Sequence, residues 1–583
     1  TEPIPYAGAD TGRLGGKVRI AAWEDGQEPV LQVDKQARFI TGMDTADFVT
    51  AAVTSADPRL KGSCFVIVEA SDPGVFDRGE TARKLVHQLA STRNPVFSLQ
   101  VPAGRIVGGY TVTDGVVVPN ASHSDVIDTV FRRTRPVVGL MTAAKLLSAV
   151  EPLIRYHRHR FRGGDSVEPG SPRFELGLQQ REDVLHRVVD VWATGEAAAA
   201  LGFEASRLFD QRARIEQDVD DALARQVTAG GRARSRALAD AGRDALEYLR
   251  ESARAPEKRQ QSRYDELAGS PLVRFVMLEA VTAVVGPAVK LWNTGHGANM
   301  MREAVSLMGG YGITEDCPGF LGYKWMDAQL EATYEGPEAV HRAQLAGTMT
   351  EELFLAQFRG WVTEMRQIAS ERPGTGACTL ATAMQMWAWT TQYLQRASDA
   401  DGRKLYQGSR QGVSFALADA LCWLLAARQQ TLDVLELENA GGTGGAHADL
   451  LPLLMDLCHV QSARASSEVG RILSDLVFGY RRHPAWDEVG CATCYVADEL
   501  EGIEDVIPGI SASAAFYGDV LEVNGTHPAK AGPCARTDGL EPFLRMRSKL
   551  DGCLTGSRLA KDRAADALTR IAIPESPGYP MGQ

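Results

Sequence analysis

The sequence predicts an α+β protein of several domains: a β domain over residues 1–118, a helical bundle over 119–348 and a mainly helical extension over 349–583. Three observations predict it. Short β-branched and aromatic runs, at Cys64 to Glu69, Pro95 to Val101 and Gly115 to Val118, are separated by Gly, Pro and Asp in the first part of the chain. At Thr134-Arg135-Pro136 the period changes, and from Val137 to Phe161 apolar residues recur at three- and four-residue intervals, as on one face of a helix. Ala-rich helical segments of the same kind follow at Arg181 to Asp210 and Leu272 to Met308, and again from Glu351 onward.

Length and composition bound the class. A chain of 583 residues is too long for one core, and domain sizes suggest about three or four. Hydrophobic residues at 44% and charged residues at 23% match ordinary globular usage, which excludes a disordered or fibrous chain. The net charge of -12 argues against nucleic acid as the main partner, because phosphate binding needs a clustered basic face. Nine cysteines without a dense spacing pattern read as reduced thiols in a cytoplasmic protein, with no disulfides expected. The most apolar stretch, Val273 to Ala288, carries Arg274 and Glu279 and falls short of about 20 residues, so no transmembrane segment is expected. Thr1-Glu2-Pro3-Ile4-Pro5 has neither the basic nor the apolar region of a secretory signal.

Two polar insertions interrupt the bundle pattern, Arg162 to Glu175 and Gln211 to Leu267, the second reading as a surface helical excursion. Beyond Glu351 the helical pattern runs to Glu438. A Gly-rich hinge from Ala440 to Gly445 follows, then a helix from Leu450 to about Tyr480 and an amphipathic helix over Leu540 to Ile571. Cys491 and Cys494 have half the spacing of a zinc site, but no second pair accompanies them, so no metal site is expected. Cys458-His459 reads as a helix-core pair, and His157 and His159 as a solvated helix end.

Three stretches carry candidate chemistry. Thr1-Glu2-Pro3 followed by Ala7-Gly8-Ala9-Asp10 is a turn whose small residues let backbone amides approach a ligand. Phe39-Ile40-Thr41 places an aromatic ring and a hydroxyl on one strand face, suited to cover a flat ring and bond its polar edge. Gly309-Gly310-Tyr311-Gly312, then Asp327, then Tyr334-Glu335-Gly336-Pro337-Glu338, form a Gly-rich turn between helices and a carboxylate just ahead of a helix start, with Pro337 suited to the first helical position. On local grounds Glu335 serves the helix dipole, a stabilisation of about 0.3 to 1 kcal/mol.

In order and spacing, these stretches resemble the acyl-CoA dehydrogenase family. Ala90-Ser91-Thr92-Arg93 with Val101 to Gly109, and Phe131-Arg132-Arg133-Thr134-Arg135-Pro136, add two further matches, so the resemblance runs from Thr1 to about Thr348. It implies a β-barrel-like middle domain followed by a four-helix bundle, with the C-terminal helices as an extension. It implies FAD as cofactor, an acyl-CoA thioester as substrate and an electron-transfer flavoprotein as acceptor, in a homodimer or tetramer. Glu335 would take the α-proton. Thr1, Gly8, Phe39, Ile40 and Thr41 would surround the isoalloxazine, Tyr334 would pack beside it, and Arg160 and Gly310 would reach the rest of the cofactor. Ala9, Arg135 and Gly336 would face the thioester end of the substrate.

The chain departs from the family at Ala9, where a serine is usual, at Ser306, Met326, Pro337 and Ala339, and in beginning inside the first motif. The family's helical N-terminal domain precedes that motif, so the resemblance implies that half of the acyl pocket comes from outside these residues, through truncation or a separate subunit. Two rivals share the fold: a flavin monooxygenase or oxidase that activates oxygen, and a non-catalytic scaffold or nucleic-acid-associated relative. Glu335 in its context weighs against the first, and the acidic composition against the second.

Overall fold

The computed structural model describes residues 16–82, 90–159, 182–226, 231–440, 450–480 and 540–570. They divide into two compact units, one within 1–214 and 289–338, the other within 215–288 and 339–574.

The first unit opens with β structure, because its β-branched residues alternate inward and outward. In β1 (Lys17–Ala22), β2 (Val30–Gln36), β4 (Phe48–Ser55), β5 (Ser63–Glu69) and β9 (Val96–Pro102) every second side chain enters one core. With β6 (Gly74–Asp77) they form a six-stranded sheet in the order β5-β4-β1-β2-β9-β6. β1 runs parallel to β4 and every other pair is antiparallel. Leu31, Val33, Val66, Val68 and Leu99 fill its core. A smaller sheet, β3-β8-β7, joins β3 (Phe39–Thr41), β8 (Ser91–Arg93) and β7 (Glu80–Ala82), and a hairpin pairs β10 (Tyr110–Thr113) with β11 (Val116–Pro119). β3 packs Ile40 toward the main core and leaves Phe39 and Thr41 outward, as expected from its period of two.

Helix α1 (His123–His159) starts well before the expected Val137 and runs through Pro136 and Pro152. A proline inside a helix removes one backbone bond without ending a helix that packing holds. α2 (Glu182–Gln226) likewise continues past Asp210. The expected helix from Leu272 to Met308 is three pieces: α5 (Pro271–Trp292), a π-helical turn (Asn293–Gly297) and α6 (Ala298–Leu307). Between α2 and α5, α3 (Gly231–Ser252) and α4 (Gln261–Gly269) occupy the polar insertion. That insertion has an interior of its own, in which Ile215, Val219, Leu223 and Ala241 pack with Leu272 and Phe275. α7 (Leu321–Glu331) packs on α1 and α6.

Two helical stretches, Thr129–His157 and Pro271–Leu307, are long and apolar enough to cross a membrane, with mean hydropathies of 1.6 and 1.8. This corrects the expectation that no stretch reaches that length; it was missed because single charges break the apolar run that packing completes. About half of each apolar window is buried within the protein (50% and 56%), as core helices are.

The second unit continues with α8 (Glu338–Thr348), α9 (Glu352–Glu371), α10 (Ala377–Arg396), α11 (Gln411–Asn439) and α12 (Leu451–Phe478). α10, α11 and α12 pack on one another, and Phe358 of α9 meets Trp387 of α10 at 4.8 Å between ring centroids. The expected helix over Leu540 to Ile571 is two, α13 (Glu541–Cys553) and α14 (Ser557–Arg570), because Gly556 at φ 86° turns the chain between them.

Candidate active site

Glu335 stands on a turn that ordinary residues avoid. Its φ is 57° and that of Gly336 is 93°, so two successive residues are left-handed between α7 and α8. A non-glycine residue there costs on the order of 1–3 kcal/mol and persists only where its surroundings hold it. Pro337 lies outside α8, whose first residue is Glu338, so the expected N-terminal proline acts as the last residue of the turn. The Glu335 side chain bonds a facing helix: Thr134 Oγ1 of α1 donates to its Oε2 at 2.7 Å.

Lys290, Tyr334 and Arg135 lie about this carboxylate. Lys290, in the last turn of α5, is fully buried (0% exposed) and its Nζ donates to the Gly336 carbonyl at 2.8 Å. The same Nζ lies 5.9 Å from the centre of the Tyr334 ring. Burial pushes Lys290 down to about 8; Arg135 adds to the shift, while Glu335, Glu338 and Glu331 oppose it. Burial likewise pushes the Tyr334 hydroxyl up to about 12, helped by Glu331, Glu335 and Asp327. Arg135 is buried, with its guanidinium 4.9 Å from the centre of the Phe131 ring.

One turn earlier on α7, Glu331 is buried and satisfied. Thr142 Oγ1 donates to its Oε2 at 2.5 Å, and Lys145 pairs with its Oε1. Glu331 is therefore bound in place by a cation, whereas among the described residues no ion pair is made to Glu335. Asp327 Oδ1, also on α7, is buried without a hydrogen-bond partner. The Asn293 amide of the π turn ties these helices, donating to the carbonyls of Gly139 on α1 and Ala198 on α2 at 3.2 and 2.8 Å.

Of the residues singled out in the sequence, Arg135, Tyr334, Glu335 and Gly336 come together here. Gly310 lies on an exposed 3-10 turn, Gly309–Ile313, with open space where a side chain would be. Phe39, Ile40 and Thr41 belong to the small sheet; Phe39 is 52% exposed, and Thr92 Oγ1, on the strand paired with it, is buried without a partner. Thr1, Gly8, Ala9 and Arg160 lie outside the described residues, as do Cys491 and Cys494. His157 corrects the expected solvated helix end. It is buried against Tyr156, with ring centroids 5.3 Å apart, because α1 packs along its length. Lys290, Thr134 and Glu331 had no role assigned from sequence. A single Lys between Val289 and Leu291 in an apolar helix was the available signal.

The chain has the acyl-CoA dehydrogenase fold. Residues 268–350 match the family model for the acyl-CoA dehydrogenase C-terminal domain, and the chain is related to that family. An acyl-CoA dehydrogenase from Bacillus anthracis, solved with FAD, superposes with a TM-score of 0.52 at 12% identity, over 93% of this chain and 72% of that one. An acyl-CoA oxidase from Lycopersicon esculentum (tomato) superposes with a TM-score of 0.53 at 14% identity, over 96% and 73%. No curated protein matches in sequence.

Proposed function

We propose that this chain is the flavin-binding body of an enzyme that oxidises an acyl-CoA thioester to its α,β-unsaturated form, with Glu335 as the base for the α-proton. One observation carries the reading: a carboxylate with no cationic partner among the described residues, bonded by Thr134 at 2.7 Å and set on a strained turn among buried charges. One bond to a hydroxyl orients the carboxylate without neutralising it, as a proton-abstracting base requires.

The β domain fits a flavin. Phe39 and Thr41 face outward from β3, and the unpartnered Thr92 hydroxyl lies on the adjacent strand. Phe39, Ile40 and Thr41, with Thr1, Gly8, Arg160, Gly310 and Tyr334, are the residues that would hold FAD; when bound, FAD supplies the acceptor for the β-hydride. This chain's own residues do the rest. Glu335 takes the α-proton. Arg135, with Ala9 and Gly336, would serve the thioester end, where charge gathers on the carbonyl oxygen as the α-proton leaves.

Electrons then pass to an electron-transfer flavoprotein. The likeness to the tomato acyl-CoA oxidase supports a second reading in which oxygen is the acceptor. Anaerobic addition of butyryl-, octanoyl- or palmitoyl-CoA to the purified yellow protein tests the first step by loss of flavin colour. Glu335→Gln is expected to keep the colour and slow bleaching by about 10²- to 10⁴-fold, the usual contribution of a general base. A colourless protein, or bleaching at the original rate in Glu335→Gln, overturns the reading. Peroxide formed in air distinguishes the oxygen-using enzyme.

A further inference from the structure

We propose that Lys290 is a positioning residue for the base: a buried cation that fixes the Glu335–Gly336 turn through the Gly336 carbonyl without itself pairing with the Glu335 carboxylate. What the base does rests on the dehydrogenation reading above; how the turn is held does not.

Three observations converge on this lysine. Its side chain is fully buried on α5 beside buried Val289, Leu291 and Trp292, where an ammonium costs several kcal/mol unless it is well bonded. Its acceptor is a backbone carbonyl, in the residue that follows Glu335. That carbonyl lies directly after Glu335, whose left-handed φ of 57° is a strained conformation that persists only where its surroundings hold it, while Gly336 at φ 93° is at ease. Glu331 provides the contrast within the same site: Lys145 pairs with its carboxylate directly and occupies it. A lysine paired in that way with Glu335 would neutralise the base. Bonding one residue further along orders the same turn and leaves the carboxylate to its bond with Thr134.

The charges facing the ammonium are Arg135 from α1, Glu331 from α7, Tyr334 and Glu335 from the turn, and Glu338 from α8. Lys290 titrates at about 8 in the folded protein, against 10.5 ordinarily. The unfolded chain therefore binds more protons between those values. The folded state bears the full penalty of the buried charge below about pH 8 and is relieved of it as pH rises toward 10.5. A lysine kept only for stability would be a poor choice here, and its removal separates the two roles.

The test compares full-length wild type, Lys290→Met and Lys290→Gln by thermal unfolding, by hydrogen exchange of residues 331–338, and by anaerobic bleaching with butyryl-, octanoyl- and palmitoyl-CoA. Lys290→Met is expected to unfold at the wild-type temperature or above it near pH 7, with the difference narrowing toward pH 10. Exchange in 331–338 is expected to rise by about tenfold or more, as for a lost bond to a charged donor, with the rest of the chain unchanged. Lys290→Gln, which keeps an N–H but no charge, falls between. Bleaching slows by about tenfold or more in Lys290→Met while acyl-CoA affinity changes less than about twofold. Wild-type bleaching slows as pH rises through about 8, and this alkaline decline is absent in both variants. Unchanged exchange in Lys290→Met overturns the proposal, as does a fall in melting temperature with exchange raised along the whole chain. If wild type is not bleached by any of the three thioesters while 331–338 still loosens in the variant, the dehydrogenation reading fails and the role of Lys290 stands.

Discussion

Thr134 and Gly336 bear on Glu335 in different ways. Thr134 supplies the carboxylate's hydrogen bond, so Thr134→Val removes orientation without changing size. A bond to a charged group contributes about 1.5–3 kcal/mol, and flavin reduction is expected to slow by about 10- to 100-fold in stopped-flow traces. Gly336 at φ 93° supplies the backbone. Gly336→Ala is expected to cost about 1–2 kcal/mol in urea unfolding, because a Cβ disfavours the left-handed region. His157 reports on burial instead of chemistry. Burial pushes it down to about 4, with Arg187 adding to the shift and Asp183 opposing it. The unfolded imidazole takes its proton near 6.5, so stability is fully present above that value and is lost as pH falls toward 4. His157→Phe is expected to lose less melting temperature than wild type between about pH 7 and pH 5.

At the scale of elements, the π turn inside the α5–α6 pair joins three helices. It adds a residue to the helical run, and this brings the Asn293 amide to the carbonyls of Gly139 and Ala198. Asn293→Leu removes these two bonds, at about 0.5–1.5 kcal/mol each, since both carbonyls keep their helical backbone donors, and calorimetry is expected to show a lower melting temperature. In the second unit, Phe354, Phe358, Trp361 and Trp387 form one aromatic cluster between α9 and α10. Periodicity made the existence of these helices legible. Their ends were less so. The start of α1 was hidden by Pro136, and the break between α13 and α14 by a lone Gly556 whose left-handed conformation has no sequence period. The polar insertion read as surface because its Arg and Asp residues outnumber the few apolar ones that pack as its interior.

At the scale of the molecule, the proposed FAD would couple binding to stability. A ligand that binds only the folded state adds about 2.7 kcal/mol at a hundredfold excess over its dissociation constant. Stripping flavin from the protein is therefore expected to lower its melting temperature, and added FAD to restore it in a concentration-dependent way. Unchanged melting with FAD would count against the flavin site in the β domain. In the second unit the wealth of buried Ala and Leu on α10, α11 and α12 is that of a packing element.

By itself the sequence determined the order of β and helical parts and the alternation that turns Ile40 inward and Phe39 outward, because these follow from local period; Glu335 was singled out only through the resemblance of its segment to a known family. Tertiary structure alone decided that Thr134, 201 residues away along the chain, orients that carboxylate, and that Lys290 holds the carbonyl next to it. The physical reason is that burial and hydrogen-bond geometry are properties of packed helices. A lysine in an apolar stretch has no partner until α5 is laid against the turn, and a glutamate has no particular strain until that turn closes.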